Sequence, residues 1–114
     1  MGDTDTPLNV TKTNPIRLTG VANELLRNSY HYRGDLSDQL VNILSTLNLH
    51  HIQLHRIPKG RAAESVPLRE RPTVYTSVRL PVNLYEKVLK IGKDRNVSVN
   101  TMLNSAILEG FAKL

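Results

Sequence analysis

The chain has 114 residues, with 15 Lys and Arg against ten Asp and Glu, which gives a formal charge of +5 and a pI near 9.8. That length allows one compact domain or two very small units and excludes a large enclosed active site, while the basic balance favours a polyanionic partner. The absence of cysteine excludes disulfide frameworks and thiol chemistry, so a reducing compartment, the cytoplasm, is expected.

Residues 1–10, MGDTDTPLNV, are polar and acidic and are expected to form a disordered tail. They have neither the basic nor the apolar region of an export signal, and no apolar run in the chain approaches bilayer length. A membrane partner is therefore not expected.

Residues 11–48 contain a short extended stretch, TNPIRL, followed by two amphipathic helical segments that meet near Gly34. Residues 49–72 hold three Pro, one Gly and five basic residues without a sustained period and read as a basic linker. His50, His51 and His55 invite a metal reading, but no Cys and no nearby carboxylate completes a ligand set. The stronger expectation is that helix continues into this region, with His51 and His55 on one face. Arg56, Lys59, Arg61, Arg69 and Arg71 would supply nonspecific phosphate contacts or solvate the loop.

Residues 73–114 are the more regular block. In TVYTSVRLP, Val74, Thr76, Val78 and Leu80 fall on one side of a strand, with Tyr75, Ser77 and Arg79 on the other. Pro81 ends the strand. The next helix places Leu84, Val88 and Ile91 inward and Lys87, Lys90 and Lys93 on a solvated face. Asn96 is the expected left-handed residue closing it. Ser98 is the expected N-cap of a last helix whose apolar face holds Met102, Leu103, Ala106, Ile107 and Phe111.

Strand–helix–helix thus occurs twice. A shift of 62 positions pairs Arg17 with Arg79, Leu18 with Leu80, Glu24 with Glu86, Gly34 with Asn96 and Leu40 with Met102. One block has too little core to fold alone, and a lone strand leaves its backbone unpaired. Both problems are met if the two strands pair antiparallel, with four helices covering the inner face. The outer face then presents Thr13, Pro15 and Arg17 beside Tyr75, Ser77 and Arg79. Such a ribbon fits the major groove of duplex DNA, where Arg17 and Arg79 would approach guanine bidentately, Thr13 and Ser77 would use their hydroxyls, and Tyr75 would meet a thymine methyl or a phosphate. The start of the last helix, NVSVN, is suited to gripping phosphate through the amides of Val99 and Asn100, with the Ser98 and Asn100 side chains assisting. The equivalent start in the first block, GDLSD, carries Asp35 and Asp38, so lopsided phosphate contacts are expected.

SVRLP followed by NLYEKVLKIGKDRNVSVNTMLNSAILEGF resembles the ribbon-helix-helix family of DNA-binding proteins, and SVN at the last helix is similar to its Arc-like members. The resemblance covers 73–114 well and 12–48 loosely. It implies a mainly α fold in which alternate strand residues read bases and the second helix start grips phosphate. Two blocks in one chain look like the tandem arrangement of TraY-type relaxosome accessory proteins. The departures are Pro15 within the first strand, Thr19-Gly20 where Pro81-Val82 stands in the second block, and the acidic helix start.

The carboxylates are scattered, and there is no Gly-rich phosphate loop and no Ser or Thr with an evident base beside it, so neither an enzyme nor a cofactor is expected. The expected role is a transcriptional regulator, with relaxosome or partition assembly as the alternative. A protein-docking module such as an antitoxin is the rival of another class. Double-stranded DNA is the expected partner, and self-association is open: a pseudo-dimeric monomer or a homodimer.

Overall fold

The computed structural model describes residues 10–29, 35–57 and 60–112. Alternation of apolar and polar side chains builds two strands, β1 (Thr11–Leu18) and β2 (Val74–Pro81), and they pair antiparallel as one two-stranded sheet. The register is unbroken from Thr11 opposite Pro81 to Leu18 opposite Val74, with Pro15 opposite Ser77 at its centre. The ladder extends one step further, because Val82 N–H donates to the Val10 carbonyl at 3.0 Å. Val10 therefore takes part in pairing and does not belong to a free tail, while residues 1–9 and Gly34 lie outside the described residues.

Pro15 sits in this ladder without a bulge. The N–H of Arg17 points out of the ribbon to Asn100 Oδ1 at 3.1 Å, and that of Arg79 points out to Ser37 Oγ at 2.9 Å. Backbone direction alternates along a strand, so position 15 shares the outward edge of Arg17 and has no ladder bond to lose.

Each strand leads into a helix pair: α1 (Gly20–Asn28) and α2 (Asp35–Thr46) after β1, α4 (Val82–Asp94) and α5 (Val99–Ala112) after β2. Thr19 caps α1, its Oγ1 accepting from Ala22 N–H at 3.2 Å. Gln39 of α2 donates to the Leu26 and Ser29 carbonyls at the other end of α1 and to Asp35 Oδ2, which turns that buried carboxylate toward the helix junction. Helix α4 closes on Asn96 at φ 62°, with Asn96 N–H donating to Lys93 and Val97 N–H to Gly92. This is the Schellman arrangement, and it satisfies two terminal carbonyls. Ser98 then caps α5, its Oγ accepting from Thr101 N–H at 3.2 Å.

The core runs through both halves: Ile16, Leu18, Leu26, Leu40 and Leu44 pack with Val78, Leu80, Val88, Met102, Leu103 and Ile107. On the inner face of β2, Val78 and Leu80 are buried whereas Val74 and Thr76 are half-buried, so helix cover thins toward the start of that strand. Helix α5 is the central element, buried continuously from Thr101 to Ile107.

Two expectations for the linker are corrected. The helix does not continue through the histidines: α2 ends at Thr46, and a turn follows in which His51 N–H meets the Asn48 carbonyl and His50 N–H meets Asn48 Oδ1. Nor is the segment only a connection, since Leu49 and Ile52 are buried in the core and Arg95 donates to both of their carbonyls, at 3.0 and 2.9 Å. His55 N–H reaches Ser105 Oγ at 2.8 Å, which lays the linker along α5. A four-residue helix, α3 (Arg61–Glu64), and a 3-10 turn at Leu68–Glu70 complete the crossing to β2.

Candidate nucleic-acid interface

The outer face of the ribbon brings five predicted residues together. Thr13, Arg17, Tyr75, Ser77 and Arg79 are all exposed, and their inward neighbours Ile16, Leu18, Val78 and Leu80 are buried. Thr13 lies opposite Arg79, Arg17 opposite Tyr75 and Ser77 opposite Pro15. These are pairs whose N–H groups face away from the partner strand, the class in which opposed side chains stand closest. The Arg17 guanidinium lies 4.8 Å from the centre of the Tyr75 ring, within cation–π range.

The two arginines stand four residues apart along the ribbon axis, about 14 Å at the usual rise per strand residue. The face therefore carries positive charge toward each of its two ends.

Helix starts flank the ribbon, each from the other half of the chain. Asn100, in the first turn of α5, holds the Arg17 N–H, and Ser37, in the first turn of α2, holds the Arg79 N–H. Of the residues predicted to touch phosphate, Ser98 spends its side chain on capping, with a further bond to Thr101 Oγ1, and half-buried Asn100 spends its Oδ1 on the strand. Val99 packs against the core. The groups left to meet an anion are the first amides of α5, which no helix can satisfy within itself. At the other start, Asp38 is exposed and lines a cleft of about 470 Å³ together with Thr11, Ser37, Val41, Arg79 and Pro81.

Sequence reasoning missed Ser37 and Asn104. Asn104, 1% exposed, accepts from Thr19 N–H at 2.9 Å and donates to the Arg17 carbonyl at 2.9 Å and the Asn100 carbonyl at 2.8 Å. It ties the end of β1 to α5. The available signal was a polar residue in the middle of the apolar run TMLNSAIL. Its counterpart 62 positions earlier, Asn42, is exposed; the strand position that would offer it an N–H is Pro81, which has none.

The linker arginines divide. Arg69 grips Glu24 with two bonds, at 3.0 and 3.2 Å, and Arg71 donates to the Val66 and Glu64 carbonyls. Arg56 and Arg61 are exposed, and Lys59 lies outside the described residues. Among the described residues no group of three His, Asp or Glu side chains is placed to hold a metal, and no helix is long and apolar enough to cross a membrane. Comparison with family models, curated proteins and solved structures finds no match for the chain.

Proposed function

We propose that the chain is a sequence-specific double-stranded DNA-binding protein that reads the major groove with the outer face of its β-ribbon. The observation that carries this reading is the exposure of Thr13, Arg17, Tyr75, Ser77 and Arg79 on one face of a ribbon whose opposite face is core. A ribbon with two arginines and three hydroxyl side chains has the chemistry to distinguish base pairs by their major-groove donors and acceptors. The formal charge of +5 favours association with a phosphate backbone. The first amides of α5, with Val99 and Asn100 beside Arg17, would hold one backbone strand.

We read the two halves as tandem ribbon-helix-helix repeats within one chain. The 62-residue shift found in the sequence supports this, because Pro15 pairs in the ladder with its own counterpart, Ser77. Strand partners and repeat partners coincide only at a two-fold centre. The biological role is regulation of transcription, and the same binding act would serve relaxosome or partition assembly.

Selection of duplexes from a random pool, followed by anisotropy titration over a range of salt, tests the proposal. Binding should weaken steeply with salt, as phosphate neutralisation requires. The selected site should hold two guanines about four base pairs apart, matching the arginine spacing at roughly 3.4 Å per residue. Arg79→Ala should reduce discrimination at one of them, by about 1–3 kcal/mol. Binding that ignores salt would reject the reading and favour a protein-docking module, and an unchanged preference in Arg79→Ala would reject the outer face of the ribbon as the reading face.

A further inference from the structure

Resting on the proposed DNA-binding reading, we infer that the reading face is built to recognise an asymmetric duplex site in one orientation, with Arg17 stacked on Tyr75 as the anchor half. The backbone is two-fold in register about Pro15 and Ser77, so equal side chains on either side would read a palindrome. They are unequal. On one side Arg17 lies 4.8 Å over the Tyr75 ring. On the other Arg79 faces Thr13, which has no ring to offer.

Stacking fixes the plane of a guanidinium and restricts its rotamers before DNA arrives, which lowers the ordering cost of a bidentate contact. Tyr75 is thus a positioning residue for Arg17. The surroundings reinforce the difference. Arg79 shares a cleft with Asp38, an acid in the first turn of α2, and negative charge at that helix start opposes an approaching phosphate. On the Arg17 side the adjacent helix start, Val99–Asn100–Thr101, carries no acid. Base reading and phosphate attraction both favour the same half.

The test uses the full chain, whose lack of cysteine permits a single reactive thiol. Lys93→Cys, at the exposed end of α4 next to the α5 start, would carry an iron–EDTA cleavage probe. Cleavage confined to one side of the selected site, together with a non-palindromic consensus, is the expected result. In parallel, Tyr75→Phe should keep the preference at the Arg17 guanine and Tyr75→Ala should lower it by roughly three- to thirty-fold, as loss of a cation–π contact implies. Equal cleavage on both sides of a palindromic consensus, or Tyr75→Phe behaving like Tyr75→Ala, would overturn the inference and leave DNA binding standing. Failure to select any duplex would overturn both.

Discussion

Asn104 ties β1 to α5 from inside the core. It is buried and satisfies the buried Thr19 N–H and the part-buried Arg17 carbonyl, backbone groups that no strand partner meets. Replacing it with leucine keeps the volume and removes both bonds, and each orphaned group costs about 1–3 kcal/mol. Asn104→Leu should therefore lose about 3 kcal/mol in urea unfolding. Asn42→Leu, at the exposed counterpart, should stay within about 0.5 kcal/mol. Equal effects at the two positions would mean that the asymmetry between Thr19 and Pro81 is unimportant to the fold.

At the scale of elements, the break between α4 and α5 depends on one left-handed residue. Asn96 holds φ 62°, and the Schellman bonds from Asn96 and Val97 need that geometry. An alanine there meets the steric penalty of the left-handed region, so Asn96→Ala should cost about 1–2 kcal/mol, while Asn96→Gly should be neutral or slightly stabilising. Thermal or urea unfolding of the two variants distinguishes them, and a stable Asn96→Ala would show that the turn has another solution. This turn was legible in the sequence, as were β2, the inward apolar set of α4 and the cap at Ser98, because each has a local signature of period, cap or left-handed residue. The linker was not. Leu49, Ile52 and Leu54 follow neither a strand nor a helix period; the first two are buried in the shared core with Leu54 packed against it, and Arg95, more than 40 residues on, reaches the Leu49 and Ile52 carbonyls, which no local pattern encodes. Burial of Asn104 and Ser105 was hidden for a related reason: partners 85 and 50 residues away make a polar side chain acceptable in the core. The stacking of Arg17 on Tyr75 required the strand register, which alternation limits to one parity but does not fix.

At the scale of the whole molecule, the N-terminal and C-terminal halves interlock through one ribbon and one core. Helix starts cross over to cap the strand of the other half, at Arg17 by Asn100 and at Arg79 by Ser37, and the core is continuous across both halves and the linker. Neither half retains a complete core without the other, so the two should unfold together in a single transition. Because both strands of the ribbon come from the same chain, that transition should not depend on protein concentration. Urea midpoints measured at two concentrations a hundred-fold apart should coincide, whereas an obligate homodimer would gain about 2.7 kcal/mol of apparent stability at the higher one. Ile52→Ala extends the same reasoning to the linker. Because Leu49 and Ile52 belong to the shared core, the truncation should lower the midpoint of the whole transition without splitting it, at a cost of about 2–4 kcal/mol in unfolding free energy. A second, separate transition in that variant would mean that the linker joins two independently folding halves, which the crossed caps at Arg17 and Arg79 do not permit.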